Sequence, residues 1–151
     1  MAIDRVFIDT PVYKTNNSKE GEIIHNSSSK KVKVSILVED KDYGEKNIEL
    51  LKNILKAINF EWENEVRVRK FNLDEFINIA SIKNSDNPQY ILSFGLSAKK
   101  FDVQFRIKYD EWVKFKTFNL LLCPLLEDLR NDKKLKLKLW NLLQMEINGN
   151  K

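Results

Sequence analysis

Polar and apolar positions along this chain fall into blocks that switch between period two and period 3.6. Residues 32–38, Val-Lys-Val-Ser-Ile-Leu-Val, form a β-branched run closed by Glu39 and Asp40, and read as a strand. Over 45–59, Ile48, Leu51, Ile54, Leu55 and Ile58 recur at three- and four-residue spacing, the pattern of one buried helix face. Residues 65–71 alternate Val66 and Val68 with Arg67 and Arg69, which predicts a strand with one wet face. Asn72, with Glu75 three residues on, resembles a capping box. A helix is therefore expected from there to about Ile82, burying Leu73, Phe76, Ile77 and Ala80. Asn87-Pro88 marks a turn.

Residues 89–96 are almost continuously apolar, as in a central strand buried on both faces. Val103, Phe105 and Ile107 alternate with Gln104, Arg106 and Lys108, and 112–116 read as the return arm of that hairpin. Residues 118–123 are a second fully buried run, followed by a turn at Pro124, a short helical turn and a final helix. At about 100° per residue, Leu135, Leu139, Leu142 and Leu143 share one face of that helix, and Trp140 sits at its margin as a clasp for the fold. Leu137 falls on the polar side with an exposed position expected. The element order predicts a three-layer α/β domain over 32–148. Its expected centre is a mainly parallel sheet of about four to five strands, with an added hairpin and right-handed crossovers.

Residues 1–31 follow a different pattern. Ile3, Val6, Phe7, Ile8, Val12 and Tyr13 cluster around Pro11, and a polar stretch with Asn16-Asn17-Ser18 and Asn26-Ser27-Ser28-Ser29 follows as a linker. Two readings of the apolar part stand side by side: an arm or edge strand packed on the domain, or a short peptide that docks on another protein.

The length of 151 residues fits one domain with a real core. The net charge of +4 comes from 26 basic and 22 acidic residues, so the surface is mixed, and charge alone is weak ground for nucleic-acid binding. A single cysteine, Cys123, excludes an internal disulfide framework. No secretory signal is evident at the start, and no apolar run approaches the ~18 residues of a membrane span. A soluble cytoplasmic protein is expected.

Candidate chemistry is sparse. His25 is the sole histidine and lies in the polar stretch, so no zinc-ligand set or His-based catalytic device assembles from sequence. The four glycines match no phosphate-loop spacing. Phe94-Gly95-Leu96-Ser97 ends the central strand, where open α/β sheets bind ligands, although Gly95 equally suits a tight exit turn. Glu39, Asp40 and Asp42 would suit Mg²⁺, or serve as solvated loop acids before a helix. Arg67-Arg69-Lys70, Lys99-Lys100 and Arg130 with Lys133, Lys134, Lys136 and Lys138 are basic clusters able to meet phosphate, or simply solvated faces. No catalytic, cofactor-binding or metal-ligating residue is assigned.

The run Leu121-Leu122-Cys123-Pro124-Leu125-Leu126-Glu127-Asp128-Leu129, followed by Asp132-Lys133-Lys134-Leu135-Lys136-Leu137-Lys138-Leu139-Trp140-Asn141-Leu142-Leu143, resembles the C-terminal end of psi-subunit-like proteins of the bacterial DNA polymerase III holoenzyme. The resemblance extends to Tyr90-Ile91-Leu92-Ser93-Phe94-Gly95-Leu96-Ser97 and the strand at 32–38, and covers about residues 32–147. That family looks like the uracil-DNA glycosylase fold without its active site. The glycosylases carry Asp-Pro after the first strand and His-Pro-Ser-Pro after the last. Here those places hold Glu39-Asp40-Lys41 and Cys123-Pro124-Leu125-Leu126, without the polar groups that hold a flipped base.

The resemblance implies a non-catalytic adaptor of the replication machinery, not itself an enzyme and needing no cofactor. Psi subunits attach to the clamp loader through an N-terminal peptide, and reach the single-stranded-DNA-binding protein through a partner subunit. Phe7, Ile8, Pro11, Val12 and Tyr13 are laid out as such a peptide would be. A divergent glycosylase-like enzyme using Asp40 or Asp42, and a plain DNA-binding module, are the alternatives.

Overall fold

The computed structural model describes residues 18–19, 21–27, 32–72, 75–96, 100–101 and 111–148. The expected docking residues Phe7, Ile8, Pro11, Val12 and Tyr13, and the expected strand around Val103, Phe105 and Ile107, lie outside them.

Four strands form the middle of the sheet: β3 (Val34–Glu39), β4 (Val66–Phe71), β6 (Tyr90–Phe94) and β8 (Asn119–Cys123). They lie in the order β4-β3-β6-β8 and are mutually parallel. Two antiparallel edges complete it, β2 (Glu22–His25) beside β4 and β7 (Trp112–Lys114) beside β8. The result is a mixed six-stranded sheet, not the mainly parallel one of four to five strands that the run pattern predicts. The edges account for the difference. Residues 112–114 return onto the strand that follows them, joined by a short turn in which the Phe115 amide donates to the Phe118 carbonyl at 2.9 Å. The stretch read as polar linker supplies β2, whose His25 ring stacks at 4.3 Å on Trp62 at the start of α2 (Trp62–Glu65), while its Nε2 meets the Trp62 carbonyl at 2.7 Å.

Side chains at period two send alternate residues to opposite faces, and each face has its own core. Val34, Ile36 and Val38, Val66 and Val68, Leu92 and Phe94, and Leu121 face α1 (Glu45–Ala57), α4 (Leu126–Asn131) and α5 (Lys133–Leu143). Leu37, Phe71, Ile91, Leu120 and Leu122 face α3 (Ile79–Asp86) and Phe101. The connection β3-α1-β4 steps one way along the sheet and β4-α3-β6 steps back across β3. A constant crossover hand then requires α1 and α3 on opposite faces, as found. No helix among the described residues is long and apolar enough to cross a membrane.

Helices α1, α4 and α5 follow their apolar spacing. Asp132 caps α5 by accepting from the Lys134 amide at 2.9 Å. Helix α3 begins later than the Asn72–Glu75 pattern predicts. Glu75 does accept from the Asn72 amide at 2.7 Å, yet Phe76–Ile77 is extended as β5, paired with β1 (Ser18–Lys19). The cap is Asn78, whose side chain accepts from the Ser81 amide at 3.0 Å. Phe76 and Ala80 are consequently exposed, Ile77 is buried as expected, Leu73 lies outside the described residues, and the helix itself buries Ile79, Ile82 and Asp86. The helix ends on Asn87 in a left-handed conformation before Pro88.

The wet face expected on β4 is dry at its centre. Arg69 is buried and donates through Nε and Nη2 to the Asp86 carboxylate at 3.0 and 2.6 Å. Arg67 reaches the same carboxylate at 2.5 Å, and Ser35 donates to it at 2.7 Å. Asp86 arrives at the end of α3 and supplies the countercharge that lets two arginines lie beneath a helix.

Trp140 packs half-buried against the core beside Leu139 and Leu143, and Trp112 adds a second clasp: its Nε1 donates to the Leu142 carbonyl at 2.9 Å. On the α3 face, Ser93 lies between Leu37 and Leu122 with its hydroxyl buried and, among the described residues, without a hydrogen-bond partner. Leaving such a group unpaired costs about 1–3 kcal/mol. Ser93→Ala is expected to raise unfolding stability by about 1 kcal/mol, measured by urea denaturation; a loss of stability would mean that the hydroxyl is hydrogen-bonded.

Candidate functional site

In an open α/β sheet the ligand crevice lies at the carboxyl ends of the strands, where successive crossovers leave for opposite faces. Here that place is the end of β3 and β6, with β8 alongside. After β3 the chain makes a turn of 3-10 helix at Asp40–Asp42 and enters α1; after β6 it turns at Gly95; after β8 it passes Pro124 and Leu125 into α4.

Gly95, Asp40 and Asp42 at this end are engaged by the protein itself, and Ser97 lies outside the described residues. Gly95 has φ +73°, and its amide donates to the Cys123 carbonyl at 2.8 Å. Leu125 sits directly on it: a Cβ at position 95 would lie 2.2 Å from Leu125 Cδ2. Asp42 is buried and caps α4, accepting from the Leu126 amide at 2.5 Å and the Glu127 amide at 3.1 Å. Burial pushes the Asp42 carboxyl up from its ordinary value, and the two amides offset this only in part.

Asn47 knits the same corner, donating to the Asp42 carbonyl at 2.8 Å and accepting from Arg130 Nε at 3.1 Å. Arg130 also pairs with Glu127 at 2.5 Å, and this bond holds the Glu127 carboxyl below its ordinary value. Asp40 is taken by Lys70 at 3.1 Å. Cys123 is buried. Among the described residues, no three His, Cys, Asp or Glu side chains converge as metal ligands would.

The basic clusters divide in the same way. Arg67 and Arg69 are bound to Asp86, and Lys70 to Asp40. Lys100 donates to the Asn72 carbonyl at 3.2 Å, and Lys99 lies outside the described residues. Among the described residues of these clusters, only the α5 lysines remain largely turned to solvent: Lys133, Lys134, Lys136 and Lys138 are all exposed.

Sequence reasoning missed an apolar groove between α1 and α5. It encloses about 510 Å³, with Leu50 and Ile54 on one wall and Leu137, Leu139, Trp140 and Leu143 on the other. The signal for it was present: Leu137 falls off the buried face of α5, and it is 60% exposed. The opposing wall was not legible, because Ile54 reads as an ordinary member of the α1 core stripe and Leu50 lies outside that stripe.

No family model and no curated protein matches this chain.

Proposed function

We propose that the chain is a non-catalytic adaptor of the DNA replication machinery, of the psi type, with a uracil-DNA glycosylase-like arrangement of its sheet and helices and a cytoplasmic location. The observation that carries the non-catalytic half is the filled carboxyl end of the sheet. Leu125 occupies the space above Gly95, and Asp42, the most buried carboxylate of the loop after β3, is committed to the amides of α4. A base drawn into that end would have to displace packed side chains, Leu125 first among them.

The replication half rests on the C-terminal resemblance and on the layout of residues 1–14. In this reading the apolar side chains Phe7, Ile8, Pro11, Val12 and Tyr13 anchor on the clamp loader, and ordering the peptide consumes part of their binding free energy. Deleting residues 1–14 is expected to abolish co-purification with the clamp loader while moving the melting temperature by no more than about a few degrees. The same preparation is expected to leave uracil-containing DNA intact. Retained co-purification sinks the peptide, and uracil release that disappears in Asp40→Asn sinks the non-catalytic reading.

A further inference from the structure

We propose that the groove between α1 and α5 is a docking site for an acidic amphipathic segment of another protein, laid in as a helix. The inference does not depend on the replication reading. The groove is long-walled and apolar, as helix-binding grooves between two helices are, and its volume of about 510 Å³ admits several side chains. Leu137 lies on its rim at 60% exposure, an apolar side chain left in water on a helix whose other leucines mostly turn inward.

Charge complementarity selects the occupant. The lining carries Lys133 and Lys136 and no carboxylate. Both lysines are exposed, and neither forms an ion pair with any acidic side chain among the described residues. Across the groove the wall offers Asn53 and Ala57, small or uncharged positions that allow a close approach. A segment with apolar residues at helical spacing, flanked by Asp or Glu, would bury its anchors against Ile54, Leu137 and Trp140 and set its carboxylates against the two lysines. A basic segment would place like charges together, at a cost that opposes binding.

The test uses the full-length chain and a random peptide library displayed on phage. Selected peptides are expected to carry apolar residues three and four apart with flanking carboxylates. Synthetic copies, followed by fluorescence anisotropy, are expected to lose affinity by about tenfold or more in Leu137→Asp and in Lys133→Glu/Lys136→Glu. Lysine-for-acid versions of the peptides should recover binding on the charge-reversed chain. All three positions are exposed, so unchanged melting temperatures keep the comparison clean. Failure to select peptides, or selected peptides without acidic residues or with equal affinity for the variants, overturns the proposal. So does self-association of the wild-type chain that Leu137→Asp abolishes, which would make a second copy the occupant. Binding that appears only after residues 1–17 are removed overturns it too, since the groove would then belong to the chain's own start.

Discussion

Replacing Asp86 by alanine is expected to destabilise the protein by about 3–5 kcal/mol, the usual result of removing one partner from a buried ion pair. Its carboxylate is fully buried, and the side chain of Arg69 is only 4% exposed. Without Asp86, Arg69 keeps a charge under α3 that water reaches poorly. Arg67, at 18% exposure, has an escape: it already donates to Asn26 at 2.8 Å and can turn outward. The loss should therefore come mainly through Arg69. Arg69→Leu/Asp86→Leu is expected to recover most of it, since an apolar pair replaces a buried ion pair at little net cost. Urea denaturation of the two variants against wild type measures this. If the double variant is as unstable as Asp86→Ala, the penalty does not arise from an abandoned charge.

The same cluster sets a dependence on pH. Burial alone would raise the Asp86 carboxyl, but hydrogen bonds from Arg69 and Ser35, the Arg69 charge and the bond from Arg67 hold it below its ordinary value of 3.8. A depressed folded-state value means that the stabilisation is present above the unfolded value and is lost as pH falls through the folded one. Wild type should lose stability progressively below about pH 4. In Arg69→Leu/Asp86→Leu this component is absent, so the two unfolding curves should converge in acid.

This cluster also marks where sequence reasoning stops. Local pattern identified α1, α4, α5 and the four inner strands, because burial there follows the period of a single element. It placed Arg67 and Arg69 in water because alternating arginines on a strand usually are solvated. What holds them there is Asp86, at the end of a helix 19 and 17 residues away, and no periodicity in β4 reports it. Edge strands failed for a related reason. Glu22–His25 is polar enough to read as linker, and Phe76–Ile77 is extended where Ser18–Lys19 and Phe101 pair with it. At the candidate site, Gly95 was recognisable as the residue of a tight exit turn and Pro124-Leu125 as a turn after the last inner strand. That the two meet is a tertiary fact, and it is the fact on which the non-catalytic reading depends.

Gly95→Ala is expected to cost about 3 kcal/mol, from two separable sources. A side chain at φ +73° is strained by about 1–2 kcal/mol whatever surrounds it. The added methyl would also lie 2.2 Å from Leu125 Cδ2 and 2.8 Å from its Cγ, an overpacking that costs about 1–3 kcal/mol. Leu125→Ala removes the second source and leaves the first. The pair should therefore be non-additive: Gly95→Ala/Leu125→Ala is expected to lose about 1–2 kcal/mol less than the sum of the single changes. Denaturant melts of the four proteins decide it. If the costs simply add, Leu125 does not rest on Gly95 in solution. The carboxyl end of the sheet would then be open to a ligand, and the reading of this chain as an adaptor without an active site would lose its structural support.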